Sequence, residues 1–563
     1  MLTTNKKHIA LLADYCAQHG PRKIVISPGS RNAPLITAFE SHPQIETFLI
    51  HDERVAAFVA LGMAEELGEP VGVTCTSGSA LLNYSPAIVE AYYRQIPLMI
   101  FSADRPLELI DQGDGQTIRQ ENVYRNFIKG SFQLPNHDAQ DQFKKVNELL
   151  FQSFALANQS PKGPVHFNIP LAEPLYELDN WSISQPEIKE SSTNDNFELS
   201  SGLAEIWKST EKKLILIGQG PLKPGLAKQI ELLAEDPSVA ILVENTSNIQ
   251  HFSKIVHCID RTLETIGSNE VENFVPELLV TFGGAIISKR IKSFFRNNKP
   301  KHNWRVGVYT IQEDTFQSLT EVISVSPVSF LVGINKLEVS AISNFGAKWK
   351  QKDFLAQDVH EQFVETADFS DLKAFDLILD ALPESANLHM GNSSVVRYCQ
   401  LFNPIKSIQY YANRGVSGID GSSSTAIGVS MVSPSKLNLI ISGDISFFYD
   451  SNAFWNDYLN PNLRIIVIKN GGGGIFQIID GPLNSPYSET FFAPFDAKIK
   501  GICDAYGLEF LEVNSAEDLF NSFKSFYTIS STNRPKLMVV NTSNQNNAPI
   551  LRSYFDSLKS LKN

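Results

Sequence analysis

Cysteine is scarce and scattered in this chain. Its five cysteines, Cys16, Cys75, Cys258, Cys399 and Cys503, stand far apart with no CxxC pair. That argues against a zinc site or a disulfide framework and fits a reducing compartment. Long apolar runs are missing too, and none approaches the ~18 residues that a membrane span requires. Lys6 and Lys7 precede an apolar patch that Asp14 soon breaks, with no small-residue cleavage pattern after it, so no signal peptide is expected. Positive charge is in deficit: 48 basic side chains against 61 acidic ones leave a net charge of −13. This speaks against nucleic acid or an anionic membrane as the main partner, although a small anionic substrate answers to local charge. The expectation is a cytoplasmic protein with no membrane span.

What the chain does have is length and apolar content. Its 563 residues suffice for about three to four domains. With 43% hydrophobic and 19% charged residues, several cores can form. In the first third, β-rich runs at 23–27, 46–50, 71–75 and 97–101 alternate with helical patterns at 8–18, 53–67 and 80–94. Such alternation predicts an α/β fold with a parallel sheet covered on both faces. Strands are predicted again at 214–217, 240–243, 278–281 and 305–309, and the last third repeats the pattern. A polar stretch at 184–200 and a charged, helix-prone one at 348–371 read as linkers. The predicted division is 1–182, linker 183–198, 199–350, linker 351–371 and 372–563: three doubly wound parallel-sheet domains in succession.

The chemistry gathers where apolar runs end. Leu437–Ser442 leads into Gly443-Asp444-Ile445-Ser446, and Ile465–Ile468 leads through Lys469 into Asn470-Gly471-Gly472-Gly473-Gly474. Two strands thus deliver an aspartate and an asparagine to the carboxyl rim of one sheet, where open α/β folds bind ligands. A carboxylate, an amide oxygen and bare backbone suit a hard cation beside phosphate oxygens. Either half alone is an ordinary strand end or turn; the pair at this spacing favours a metal–diphosphate site. Ser27-Pro28-Gly29-Ser30-Arg31-Asn32 also follows a strand and opens a helix, so it can hold an anion or merely turn the chain. Glu53 begins a helix, where an acid often serves only the helix dipole; Thr76-Ser77-Gly78-Ser79 likewise reads as a cap. The polar loop from Arg105 through Gln116 to Gln120 is long enough to be a site. His51 is expected to pack or position. Gly218-Gln219-Gly220 lacks a third glycine, with Lys223 in its place, so NAD or FAD binding is not expected.

Together these segments resemble the thiamine-diphosphate enzymes, and within them the carboligases that join 2-oxoglutarate to isochorismate in menaquinone biosynthesis. The carriers are SPGSRNAPL (27–35), HDERVAAFVALGMA (51–64), TSGSALLNYSPA (76–87), ADRPLELIDQGDGQTIRQ (103–120), GNSSVVR (391–397), NRGVSGIDGSSSTA (413–426), GDISFFYDSNAF (443–454) and NGGGGIF (470–476). The resemblance runs nearly end to end and is weakest in the middle, at Ser288-Lys289-Arg290. Two departures stand out: Ile445 replaces the third glycine of the family's Gly-Asp-Gly, and Lys469 replaces its first asparagine.

The resemblance implies a transferase that uses thiamine diphosphate with Mg²⁺ or Mn²⁺. Glu53 would hydrogen-bond N1′ of the aminopyrimidine and so promote loss of the thiazolium C2 proton. Asp444, Asn470 and the Gly472 carbonyl would hold the metal. Ser77, Gly78, Asn392, Ser393, Ile419, Gly443, Ile445, Ser446, Gly474 and Ile475 would contact the cofactor, with Ile419 bending it. Ser30, Arg31, Arg105, Gln116, Lys289, Arg290, Ser393, Arg397, Arg414, Ile475 and Phe476 would surround the substrates, arginine gripping carboxylates through paired hydrogen bonds. Such enzymes share active sites between subunits, so a homodimer or homotetramer is expected. Two other readings stay open: another 2-oxo-acid decarboxylase or carboligase, such as an acetohydroxyacid synthase-like enzyme, or a non-catalytic relative.

Overall fold

The computed structural model describes residues 1–135, 140–184, 197–220, 224–249, 254–308, 313–337, 343–478, 480–496, 498–529, 532–542 and 546–562. Most of the first predicted linker, Lys223 and Tyr309 lie outside the described residues. By compactness the chain separates into two units. One comprises 1–192, 415–435 and 449–463; the other comprises 193–414, 436–448 and 464–563.

The first unit is built on a six-stranded parallel sheet ordered Glu46–Leu49, Lys23–Ile26, Val71–Cys75, Leu98–Asp104, Val165–Pro170, Gly130–Gln133. Its helices at Lys7–His19 and Glu53–Leu67 match the apolar spacing of the sequence. The predicted helix 80–94 is instead two, Ser79–Asn83 and Ser85–Arg94. Pro86 lies in the first turn of the second, where its missing N–H leaves no bond unmade. Helix Ser422–Val432 lies against helix Glu53–Leu67 at unusually short range. A Cβ at Gly62 would overlap the Thr425 carbonyl, and one at Gly428 would overlap that of Val59. Only residues without side chains allow the two backbones to touch.

The second unit holds two sheets. The first is five-stranded and parallel, ordered Val239–Val243, Lys213–Ile217, Leu278–Phe282, His302–Val306, Glu321–Ile323. Alternate residues feed two cores: Ile215, Ile217, Ile241, Val280 and Trp304 on one face, Leu214, Leu216, Leu242 and Leu279 on the other. This is the two-sided burial that a parallel sheet requires. The other sheet is ordered Gln409–Tyr411, Asn387–Met390, Asn438–Gly443, Leu463–Lys469, Lys536–Asn541, Glu509–Val513. Counted along the chain, it reads 2-1-3-4-6-5, the same order as the first unit's sheet. Residues 345–366 form one 22-residue helix. Phe345 and Trp349 enter the core of the five-stranded sheet, while Ala356 and Val364 enter that of the six-stranded one.

Candidate active site

An open α/β sheet binds ligands where adjacent strands send their connections to opposite faces. In the 2-1-3-4-6-5 order that point lies between the first and third strands. In the first unit these are Lys23–Ile26 and Val71–Cys75, and their carboxyl ends carry the Ser27–Asn32 and Thr76–Ser79 loops. Arg31 N–H donates to Thr76 Oγ1 at 3.3 Å, joining the loops. The Ser77 hydroxyl is buried with no partner among the described residues. Gly78 N–H donates to Gln120 Oε1 at 2.8 Å, and the Gln116 backbone lies over Gly78.

Glu53 opens its helix beside this rim. Asp52 is the cap, its carboxylate accepting from Val55 N–H at 3.2 Å. Asn83 Nδ2 reaches Glu53 Oε2 at a long 3.5 Å. Burial raises the Glu53 pKa, and the Asp52 charge adds to the effect. Ile419 stands in the same unit, on a loop fixed at several points. Glu90 accepts from the N–H groups of Gly415 and Val416 at 2.8 and 2.7 Å, and Arg54 Nη1 donates to Asp420 O at 2.9 Å. His51 stacks on Trp455 with ring centroids 5.0 Å apart. Two cations of this unit have protein partners. Arg31 donates to Leu171 O and pairs with Glu173, and Arg105 donates twice to Gly115 O. Ser30 and Gln116 are exposed.

In the second unit the corresponding strands are Asn387–Met390 and Asn438–Gly443. Their ends carry Gly391-Asn392-Ser393 and Asp444, and the next strand, Leu463–Lys469, delivers Asn470. Asp444 accepts from Ile445 N–H at 2.8 Å and Gly471 N–H at 3.0 Å. Burial raises its pKa to about 6 despite those bonds, and Asp371 nearby adds to the rise. Asn470 Nδ2 donates to Asp371 Oδ2 at 2.9 Å. Since a carboxylate only accepts, this contact fixes which end of the amide is nitrogen. Asn392 accepts from Arg414 Nη1 at 2.8 Å and donates to Asn413 O at 2.7 Å. Ser393 takes φ 73°, ψ −121°, a backbone conformation that non-glycine residues hold at a cost of about 1–3 kcal/mol and that clusters at functional sites.

The glycine run is braced from one side. Gly473 N–H donates to Phe492 O at 2.6 Å, and Phe495 N–H to Gly471 O at 3.0 Å. At Gly472, φ is 151° and a Cβ would sit 2.7 Å from Phe492 O, so glycine is required. Ile445, Phe448, Glu489, Thr490, Ala493, Pro494 and Phe495 line a cavity of about 610 Å³ beside Asp444. Gly474, Ile475 and Phe476 form a short turn after the glycines. Arg290, predicted to meet substrate, pairs with Glu264 and lies 4.2 Å over the Phe555 ring. Lys289 is exposed. One turn along, Lys292 is half-buried with Arg414 and Arg397 in its surroundings; burial lowers its pKa. No spacing rule singled it out, nor Asp371, nor the 488–495 segment.

The middle sheet's rim is occupied by protein contacts. The N–H groups of Gly218, Gln219 and Gly220 donate to Phe282 O, Ala285 O and Thr246 O. Gln219 Nε2 donates to Ala412 O at 2.6 Å, and Asn248 bonds both N and O of Tyr410. The N–H groups that would cradle a dinucleotide here are already spent on neighbouring loops of the same sheet, while the Gln219 and Asn248 side chains hold the Tyr410–Ala412 segment.

The residues at the two outer rims suit thiamine diphosphate and a divalent cation. Ser77 offers an unpartnered buried hydroxyl. A Cβ at Gly443 would meet nothing within 4 Å, leaving room for a phosphate. Asp444 and Asn470 offer oxygen donors, and among the described residues no cluster of three His, Cys, Asp or Glu forms a competing cage. Residues 7–123 match the thiamine pyrophosphate enzyme N-terminal TPP-binding domain, and residues 390–541 match the C-terminal one. A protein of Christiangramia forsetii named 2-succinyl-5-enolpyruvyl-6-hydroxy-3-cyclohexene-1-carboxylate (SEPHCHC) synthase is 42% identical over 97% of this chain and 97% of its own length. The chain belongs to the SEPHCHC synthase family. SEPHCHC synthases of Flavobacterium psychrophilum (41% identical, 97% of this chain, 98% of theirs) and Porphyromonas gingivalis (39%, 98% and 97%) are similar over the same extent. The chain thus matches both TPP-binding domains, and the middle sheet lies outside both matched segments. No described helix is long and apolar enough to cross a membrane.

Proposed function

We propose that this enzyme decarboxylates 2-oxoglutarate and adds the resulting four-carbon unit in a 1,4 sense to isochorismate, giving SEPHCHC for menaquinone biosynthesis. The observation that carries the reading is the repeated strand order: the switch-point loops of two like sheets carry Ser77 and Gly78 in one and Asn392, Ser393 and Asp444 in the other, in a chain 42% identical to a named SEPHCHC synthase. Thiamine diphosphate, when bound, supplies the nucleophilic carbon and the electron sink.

Glu53 holds a proton at the pyrimidine end, a task suited to a carboxyl group whose pKa burial has raised. Ser77 and Gly78 line that end, and Ile419 is the apolar wedge. Asp444, Asn470 and the Gly472 carbonyl hold Mg²⁺ or Mn²⁺, with Asn392, Ser393, Gly443, Ile445, Ser446, Gly474 and Ile475 around the diphosphate. The substrates' carboxylates fall to Arg31, Arg105, Lys289, Arg290, Arg397 and Arg414, helped by Ser30, Gln116 and Ser393, with Ile475 and Phe476 along the carbon chain. Three domains, 1–182, 199–350 and 372–563, carry these parts. Glu53 of one subunit works with Asp444 of another, so a homodimer is the smallest active form and a homotetramer is compatible. We place the enzyme in the cytoplasm, where its substrates would arise.

The test is substrate choice. Product should form from 2-oxoglutarate with isochorismate and not from pyruvate; CO₂ release that depended on pyruvate would overturn the assignment in favour of an acetohydroxyacid synthase-like activity.

A further inference from the structure

Asp371 is 99 residues from Asn470 in sequence and belongs to none of the motifs, yet it is 2% exposed and in contact with that side chain. It opens helix Asp371–Asp380 behind the Ser370 cap. Its two carboxylate oxygens have separate donors: Thr542 Oγ1 reaches Oδ1 at 2.6 Å, and Asn470 Nδ2 reaches Oδ2 at 2.9 Å. Its own N–H donates to Asn547 Oδ1 at 2.8 Å. Thr542 N–H in turn donates to Lys469 O at 2.9 Å, tying the support to the residue just before Asn470.

We infer that Asp371 is the positioning residue of the metal site: by accepting from Asn470 Nδ2 it turns the amide oxygen outward as a cation ligand. An unrestrained asparagine could present its NH₂ group, which no cation accepts; a buried acceptor behind it removes that option. Groups that orient a metal ligand commonly govern affinity 10–100-fold. The inference rests on the proposed role of Asn470 and adds what makes that residue a ligand rather than a donor.

The experiment titrates MgCl₂ calorimetrically into the full-length protein saturated with thiamine diphosphate, independent of turnover. Asp371→Ala should weaken Mg²⁺ binding about 10–100-fold. Asp371→Asn should stay within about threefold of wild type, because its amide oxygen can accept from Asn470 while its NH₂ faces Thr542, which also accepts. The double variant Asp371→Ala/Asn470→Ala should bind no worse than Asn470→Ala alone, since coupled residues are not additive. Additive losses, or wild-type affinity in Asp371→Ala, would overturn the positioning role while leaving Asn470 a ligand. Wild-type affinity in Asn470→Ala would overturn both. Should Asp371→Ala fail to fold, Thr542→Val, which removes one anchor of the carboxylate, is expected to weaken Mg²⁺ binding severalfold, and unchanged affinity there would reject the inference.

Discussion

Replacing Glu53 by glutamine separates its chemical role from its structural one. Gln is nearly isosteric, and its side-chain oxygen can still accept from the backbone N–H of residue 53 and from Asn83, which reaches Glu53 at a long 3.5 Å. Burial and Asp52 both disfavour the charged form. The native pKa therefore lies above the unfolded one, and the folded protein binds more protons between those two values. Stability contributed by this group is present below the unfolded pKa and is lost as pH rises through the native one. Glu53→Gln should remove that loss, leaving stability at neutral pH unchanged or slightly higher. Turnover should behave differently. A positioned acid–base group is worth about 10²–10⁴-fold, or about 2.7–5.4 kcal/mol of barrier. The assay pairs SEPHCHC formation with thermal unfolding and calorimetric binding of thiamine diphosphate. Turnover near that of wild type would refute the role, and lost activity accompanied by a large fall in unfolding temperature would show that the side chain serves the fold.

Asp444→Ala should abolish the Mg²⁺-dependent part of the affinity for thiamine diphosphate; calorimetry with and without the cation reads this, and an Mg²⁺-induced gain in affinity as large as that of wild type would remove Asp444 from the metal site. With its carboxyl pKa near about 6 before the cation binds, wild-type Mg²⁺ affinity should fall up to about tenfold per pH unit below that value, as protons compete for the ligand, once the pH dependence of the free Mg²⁺–cofactor complex is subtracted. A flat profile would contradict the buried-carboxylate ligand. Gly62→Ala forces a methyl group onto the Thr425 carbonyl, and overpacking of this kind costs about 1–3 kcal/mol, measurable by denaturant unfolding.

Periodicity alone located most strands, because burial on both faces writes an apolar run into the sequence: 71–75 was placed to the residue. It failed where the constraint was not periodic. Pro86 split one helix, and strand 305–309 in fact spans His302–Val306, its start hidden by the polar pair His302-Asn303. The charged, helix-prone stretch is a helix that buries Trp349, Ala356 and Val364 together with Asp353 and His360, apolar positions spread too thinly to mark a core-facing side in the sequence.

The sequence by itself determined which side chains stand at strand ends, because a strand-to-helix turn beside a ligand demands glycine, serine and aspartate within a few residues, and local spacing preserves that. Only the tertiary structure decided which of those ends meet and what stands behind them. The shared 2-1-3-4-6-5 order comes from pairing between distant strands. Arg290's engagement with Glu264 and Phe555, the docking of the middle rim onto Tyr410 and Ala412, and Asp371 beneath Asn470 are likewise contacts between segments far apart in the chain. No local pattern encodes such contacts, because a hydrogen bond depends on distance in space and not on separation along the backbone.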